Sequence, residues 1–80
     1  MKTVLLKLQT VQTVREFVDI IGQLEGDYDL VQGHSYVDAK SFLGVFTLNL
    51  KKPVSLEIHD EGMYPAVTAE LSDYLIKQAV

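Results

Sequence analysis

The apolar residues of this chain recur with two different spacings, and the order in which those spacings alternate restricts the possible folds more than any other feature. Four segments alternate between apolar and polar residues, as half-buried strands do. They are Thr3–Leu8, Asp27–Val31, Ser35–Ala39 and Val54–Ile58. Gly33 and His34 separate the second and third segments, which predicts a hairpin turn. The residues of this hairpin that are predicted to face inward are Tyr28, Leu30, Val37 and Ala39.

A fifth segment carries apolar residues at three- and four-residue steps, the spacing of an amphipathic helix. It starts near Val11, with either Thr10 or Thr13 as the N-cap, and is predicted to end between Gly22 and Gly26. Gly26 is expected to take the left-handed conformation that ends many helices. The predicted inward stripe consists of Val11, Val14, Phe17, Val18, Ile21 and Leu24.

Two further helices are predicted, one after the hairpin and one after the last strand. The first lies within Lys40–Leu48, with Ser41 as its N-cap and Asn49 in a left-handed conformation at its end. Pro65 is predicted to lie in the first turn of the second, where a helix tolerates proline. Its predicted apolar stripe consists of Val67, Leu71, Tyr74 and Leu75.

The predicted order of elements is therefore β-α-β-β-α-β-α. Each strand offers one apolar face and each helix one apolar stripe, and an antiparallel sheet covered on one side by helices buries both. The sequence thus predicts an α+β fold, an open-faced β-sandwich with a four-stranded antiparallel sheet and three helices. No linker or repeat interrupts the 80 residues, so residues 1–80 are predicted to form a single domain.

Composition argues against several classes of partner. Eleven acidic residues outweigh seven basic ones, for a net charge of −4, and the basic residues cluster only in the pair Lys51 and Lys52. Proteins that bind nucleic acid need a row of basic residues to neutralise phosphates. The chain has no cysteine, which excludes thiolate chemistry. No apolar run approaches the roughly 18 residues of a membrane span, so we expect a cytoplasmic protein that does not enter membranes.

Residues Ala39–Leu50 read A-K-S-F-L-G-V-F-T-L-N-L. This segment resembles the second-helix motif of the histidine-containing phosphocarrier (HPr) family, usually A-K-S followed by two hydrophobic residues, a glycine and another hydrophobic residue. The resemblance extends upstream through Tyr28 and Phe17 and downstream through Val54–Ile58, and it covers about residues 1 to 76. It implies the HPr fold and a relation to the phosphoenolpyruvate-dependent sugar phosphotransferase system.

The segment that carries phosphotransfer in the HPr family is missing here. Family members have a G-L-H-x-R-P segment between the first strand and the first helix, where a neutral imidazole attacks the phosphoryl donor. The corresponding segment, Leu8–Thr13, contains no histidine, arginine or proline, and Thr10, closest to the histidine position, has no adjacent base. The departure predicts a regulatory module that binds proteins, needs no cofactor and is not an enzyme.

Ser41 resembles the regulatory serine that a dedicated serine kinase phosphorylates in many Gram-positive bacteria. An N-cap serine, which stabilises a helix by about 1 kcal/mol, explains the same residue without a kinase, and the two roles can coexist. Phe42, Leu43 and Phe46 resemble the apolar patch through which family members meet enzyme I, the kinase and a transcriptional regulator. Alternatively they belong to the core, although a helical period prevents all three from facing inward and favours exposure of Leu43. Lys40 completes the predicted partner-binding residues.

Two other functions stay open at this point: a phosphocarrier component with an unrecognised acceptor, and an orphan binding domain unrelated to sugar uptake. His34 and His59 are not spaced as a ligand pair, and each is expected to stand alone as a solvated surface histidine. A metal site that combines them with Asp29, Glu57 or Asp60 is not expected.

Overall fold

The computed structural model describes residues 1–76 and divides them into four strands, three α-helices and one short 3-10 helix. The strands are β1 (Lys2–Leu6), β2 (Tyr28–Gln32), β3 (Ser35–Asp38) and β4 (Val54–Ile58). The α-helices are α1 (Val11–Gln23), α2 (Phe42–Val45) and α3 (Tyr64–Glu70). The 3-10 helix at Glu61–Met63 leads into α3 and was not predicted, whereas the order β-α-β-β-α-β-α of the other elements is confirmed.

The four strands form one antiparallel sheet in the order β1-β4-β2-β3. Leu56 in β4 stands opposite Val4 in β1 on one side and opposite Leu30 in β2 on the other. Leu30 in turn stands opposite Val37 in β3. One row of apolar side chains therefore crosses all four strands on the same face of the sheet.

The helices cover this apolar face, and the core lies between the two layers. Its largest fully buried side chains are Leu6, Leu8, Val14, Phe17, Ile21, Tyr28, Leu30, Val45, Val54, Leu56, Ile58 and Leu71. The other face of the sheet, here called the open face, carries Asp29, Tyr36, Asp38 and Glu57, all at least partly exposed. The predicted open-faced sandwich is thus confirmed.

The hairpin between β2 and β3 also follows the prediction. Tyr28 and Leu30 are buried, and Ala39 is buried just beyond the end of β3. Gly33 has a φ of 60°, a left-handed conformation that glycine adopts without steric cost. The turn therefore lies at Gly33 and His34, as the sequence predicted.

The first helix begins at the earlier of the two predicted caps. Thr10 Oγ1 accepts a hydrogen bond from the Thr13 N–H at 3.0 Å. The prediction that Val11 faces inward is wrong, because the buried stripe starts one turn later at Val14 and Val11 is 58% exposed. The prediction for Gly26 is wrong in part: extended Leu24 caps the helix, and Gly26, with a φ of 109°, shapes the loop before β2.

The end of α2 differs from the prediction. The helix stops at Val45, and Asn49 does not take the left-handed conformation. The Asn49 N–H instead donates to Gln32 Oε1 at 2.8 Å, and Asn49 Oδ1 accepts from the Lys51 N–H at 3.2 Å. These bonds fix the loop before β4 and leave Asn49 no role as a helix stop.

The third helix is shorter than predicted. It ends at Glu70, with Leu71 as its C-cap, so Tyr74 and Leu75 lie beyond it. Tyr74 lies in a turn, Leu75 forms an isolated antiparallel bridge with Leu6, and both residues pack against the core. None of the described helices is long and apolar enough to cross a membrane.

Candidate functional site

A tight turn after β3 holds Ser41 at the start of the four-residue helix α2. The Asp38 carboxylate accepts a hydrogen bond from the Lys40 N–H at 2.9 Å, and the Asp38 carbonyl accepts one from the Ser41 N–H at 3.0 Å. Ser41 has an extended backbone, and its Oγ accepts from the Gly44 N–H at 3.1 Å. The predicted N-cap role of Ser41 is confirmed, and the residue is exposed.

Gly44 leaves the space that this cap requires. A Cβ atom at position 44 would lie 3.0 Å from Ser41 Oγ and 3.2 Å from Ser41 Cβ. Both distances are shorter than ordinary van der Waals contact between such atoms. The glycine three residues after the serine therefore has a local steric reason, which the sequence motif alone did not reveal.

The apolar residues in and after α2 divide between core and surface. Val45 is buried, and Phe42 packs partly buried against the core. Leu43 is 78% exposed and Phe46 is 38% exposed. The rings of Phe42 and Phe46 meet edge to face, with centroids 5.0 Å apart. We call Phe42, Leu43 and Phe46 the α2 patch; the predicted exposure of Leu43 is confirmed.

Arg15 of α1 borders the α2 patch. Its guanidinium carbon lies 5.7 Å from the centroid of the Phe42 ring, within the range of a cation–π interaction. Arg15, Val18, Asp19 and Phe42 line a shallow pocket of about 250 Å³. The sequence pattern does not indicate a role for Arg15, because its contact with Phe42 depends on how α1 and α2 pack.

The side chain of Lys40 turns toward the end of α1. Its Nζ donates to the Leu24 carbonyl at 2.9 Å and lies 5.6 Å from the centroid of the Tyr28 ring. Burial, and secondarily the negative charge of Asp60, raises the pKa of Tyr28 above its ordinary value. The ammonium group of Lys40 is thus engaged within the fold, and its part in partner binding stays a prediction.

The start of α1 holds a pair of threonines. Thr10 Oγ1 lies 2.7 Å from Thr13 Oγ1 and also accepts the Thr13 N–H. His34 occupies the hairpin turn between β2 and β3. His59 lies far from the start of α1. The chain enters α1 from Leu6, which pairs with the first residue of β4, whereas His59 follows the last residue of β4, at the other end of the sheet.

A solved structure shares this fold. HPr-C-His from Thermoanaerobacter tengcongensis matches with a TM-score of 0.73 and 19% sequence identity, over 91% of this chain and 89% of that chain. This chain has the HPr fold. No protein-family model and no curated protein matches the sequence. At 19% identity the likeness establishes the fold, so residue roles rest on the geometry of this chain.

The open face of this HPr-type sheet carries a cluster of side chains that was not predicted. His59 Nε2 lies 2.8 Å from Asp29 Oδ2. One possible metal-ligand atom from each of Asp29, Glu57 and His59, a carboxylate oxygen or a ring nitrogen, lies within 4.8 Å of the other two. The expectation that His59 stands alone is wrong, because the antiparallel register sets Asp29 directly opposite Glu57. The spacing of Glu57 and His59, with His59 two residues after Glu57 and directly beyond the end of β4, was the available signal.

Proposed function

We propose that this protein is a non-catalytic interaction module with the HPr fold, which binds partner proteins through the α2 patch and is regulated by phosphorylation of Ser41. The observation that carries the proposal is the exposure of Leu43 and Phe46 beside the exposed Ser41 cap. The partners are of the kinds that the family resemblance implies: a serine kinase, a transcriptional regulator or proteins of the phosphotransferase system.

The α2 patch has the composition of a small docking surface. Leu43 projects into solvent, Phe46 supplies an aromatic edge, and Arg15 lies at the border. Protein interfaces combine an apolar centre with a polar rim, and aromatic residues and arginine are enriched in them. Burial of the exposed part of Leu43 under a partner would contribute about 1–2 kcal/mol to binding.

Phosphorylation of Ser41 would act on the partner more than on the fold. A phosphoryl group adds close to two negative charges at neutral pH, next to Leu43 and near Phe46. It would repel an acidic partner and attract one that presents arginine. Since α2 has only four residues and lies at the surface, we expect the stability of the domain to change little.

The absence of a catalytic step is part of the proposal. The Thr10 hydroxyl caps α1 and pairs with Thr13 Oγ1, an arrangement that supplies no base for attack on a phosphoryl donor. Incubation with phosphoenolpyruvate and enzyme I should therefore leave the intact mass of the protein unchanged. A phosphoramidate on His34 or His59 would contradict this and favour a phosphocarrier with an unrecognised acceptor.

The regulatory part is tested with a serine kinase that phosphorylates HPr, supplied with ATP and Mg²⁺. Wild type should gain one phosphoryl group by intact mass, and Ser41→Ala should gain none. Ser72→Ala, which changes another exposed serine, is the matched control and should be labelled as wild type is. A wild type that stays unlabelled, or a Ser41→Ala variant that is labelled, would refute the switch.

The docking part is tested by titrating the ¹⁵N-labelled protein with the same kinase. Amide signals of residues 42–46 should shift or broaden, and Leu43→Ala should weaken binding about tenfold, the equivalent of 1.4 kcal/mol. Tyr36→Ala removes a residue that is 65% exposed on the open face and should leave binding unchanged. Perturbations centred elsewhere would reject the α2 patch as the docking surface.

A further inference from the structure

Carboxylate and imidazole groups meet at the end of the open face where β2 begins and β4 ends. Asp29 stands directly opposite Glu57 in the pairing of β2 with β4. His59 lies two residues after Glu57, so its side chain projects from the same face of the sheet. The possible metal-ligand atoms of the three residues lie within 4.8 Å of one another, and none of the three residues is buried.

We propose that Asp29, Glu57 and His59 bind a divalent transition-metal ion of the zinc type, which joins β2 to β4 on the open face. Zinc bonds to nitrogen and oxygen ligands are about 2.0–2.2 Å long, so two ligand atoms of a tetrahedral site lie about 3.4 Å apart. The ligand atoms of the three residues are up to 4.8 Å apart, so binding would draw the two carboxylates closer together. The ion would take the place of the hydrogen between His59 Nε2 and Asp29 Oδ2, and that hydrogen would either move to Nδ1 of the ring, as the other neutral tautomer, or be released to water from a protonated imidazole.

The charges around Asp29 support a cation at this place independently of the ligand distances. Asp29 stands opposite Glu57 on one side and opposite Asp38 on the other. Like charges directly opposite each other on neighbouring strands destabilise a sheet. His59 contributes at most one positive charge, and only when it is protonated. A divalent ion bound to all three residues would add two positive charges beside these carboxylates.

The mixture of ligand types selects the kind of ion. Calcium and magnesium prefer oxygen ligands alone, whereas an imidazole suits zinc, copper, nickel and iron. Asp27, Asp38 and Tyr28 line a shallow pocket of about 330 Å³ together with Asp29 and His59, and this pocket leaves room for water ligands. With three protein ligands and an open side, the ion stays accessible to solvent.

The full 80-residue chain and Zn²⁺ alone are sufficient for the test. One equivalent of ZnCl₂ should shift the imidazole NMR signals of His59 and leave those of His34 unchanged. Excess ZnCl₂ should raise Tm by about 4 °C or more, and MgCl₂ at equal ionic strength should raise it by less than half as much. Calorimetric titration should give one ion per chain.

Variants separate a built site from general attraction of cations. His59→Gln and Glu57→Gln alter exposed or partly exposed side chains, so both should fold, and both should lose the zinc-dependent rise in Tm. His34→Gln, which changes the other histidine of the chain, is the matched control and should keep it. Overturning results are no response to Zn²⁺, an equal response to Mg²⁺, a response retained by His59→Gln, or a response lost by His34→Gln.

Discussion

Ser41 and Gly44 depend on each other, and neither residue is explained alone. The Ser41 hydroxyl satisfies the Gly44 N–H, which the short helix leaves without a backbone partner. The same closeness brings Ser41 Oγ to 3.0 Å from the position of a Cβ on residue 44. A larger residue at position 44 and a capping hydroxyl at position 41 therefore compete for one space.

This competition predicts that Gly44→Ala changes sign with its background. In wild type the added methyl group should disturb the cap and lower the free energy of unfolding by about 1 kcal/mol. In a Ser41→Gly background the conflict is absent, and alanine should stabilise the helix by up to about 1 kcal/mol over glycine. Urea unfolding of the four proteins measures both effects. The same sign in both backgrounds would contradict the coupling.

At the scale of elements, the residues after α3 are not helical, and hydrogen bonds join them to α1 and to the chain at the end of β1. The Tyr74 hydroxyl donates to Glu16 Oε1 at 2.8 Å, and the Lys7 N–H donates to the Tyr74 carbonyl at 2.9 Å. Hydrogen bonds from Gln12 first and Tyr74 second hold the pKa of Glu16 below its ordinary value. Burial first, and then the bond to Glu16, raises the pKa of Tyr74.

The lowered pKa of Glu16 makes this attachment sensitive to acid. Its contribution to stability is present above the unfolded pKa and is lost as the pH falls through the lower folded pKa. Gln12→Ala should raise the pKa of Glu16 toward its ordinary value, and Tyr74→Phe should raise it less. A ¹³C titration of the Glu16 carboxyl group measures both. Tyr36→Phe is the control and should leave this pKa unchanged. If Gln12→Ala and Tyr74→Phe also leave it unchanged, these two hydrogen bonds are not the cause of the lowered pKa of Glu16.

The strand β4 and the residues after α3 show what the spacing of apolar residues can predict and what it cannot. The bounds of β4 agree with the prediction because Val54, Leu56 and Ile58 are each buried by the helices. Tyr74 and Leu75 keep the apolar spacing of a helix, yet they pack against the core after α3 has ended. Apolar spacing records which residues are buried, and it does not record the conformation of the backbone that buries them.

The candidate sites divide in the same way. Exposure of Leu43 could be predicted, because one helix cannot turn all its apolar residues inward. The contact between Arg15 and Phe42 could not, because it depends on the packing of α1 against α2. The cluster of Asp29, Glu57 and His59 could be predicted only in part, from the spacing of Glu57 and His59. It depends on the register between β2 and β4, which are separated by more than twenty residues of chain.

At the scale of the whole molecule, the two surfaces lie on different sides of the sheet. The α2 patch belongs to the helical layer, where α2 contacts α1 and β3. Asp29, Glu57 and His59 lie on the open face. A close-packed core that includes Leu30 and Leu56 separates them. Leu43 and Glu57 lie on opposite faces of the sheet, and substitutions at distant sites without shared partners usually act independently, so changes at these two residues should not be coupled.

Independence predicts that Leu43→Ala and Glu57→Gln add without coupling. Leu43→Ala alters a side chain that is 78% exposed and should change the free energy of unfolding by less than about 0.5 kcal/mol. Glu57→Gln removes a like charge opposite Asp29 and, without metal, should stabilise the protein by about 0.2–1 kcal/mol. In urea unfolding, the change in the free energy of unfolding of the double variant should equal the sum of the two single changes within about 0.5 kcal/mol.

Leu43→Ala should also keep the wild-type response to zinc, and Glu57→Gln should keep the wild-type labelling by the serine kinase, because each substitution alters only one surface. A zinc response lost in Leu43→Ala, or labelling lost in Glu57→Gln, would show that the sheet couples the two faces.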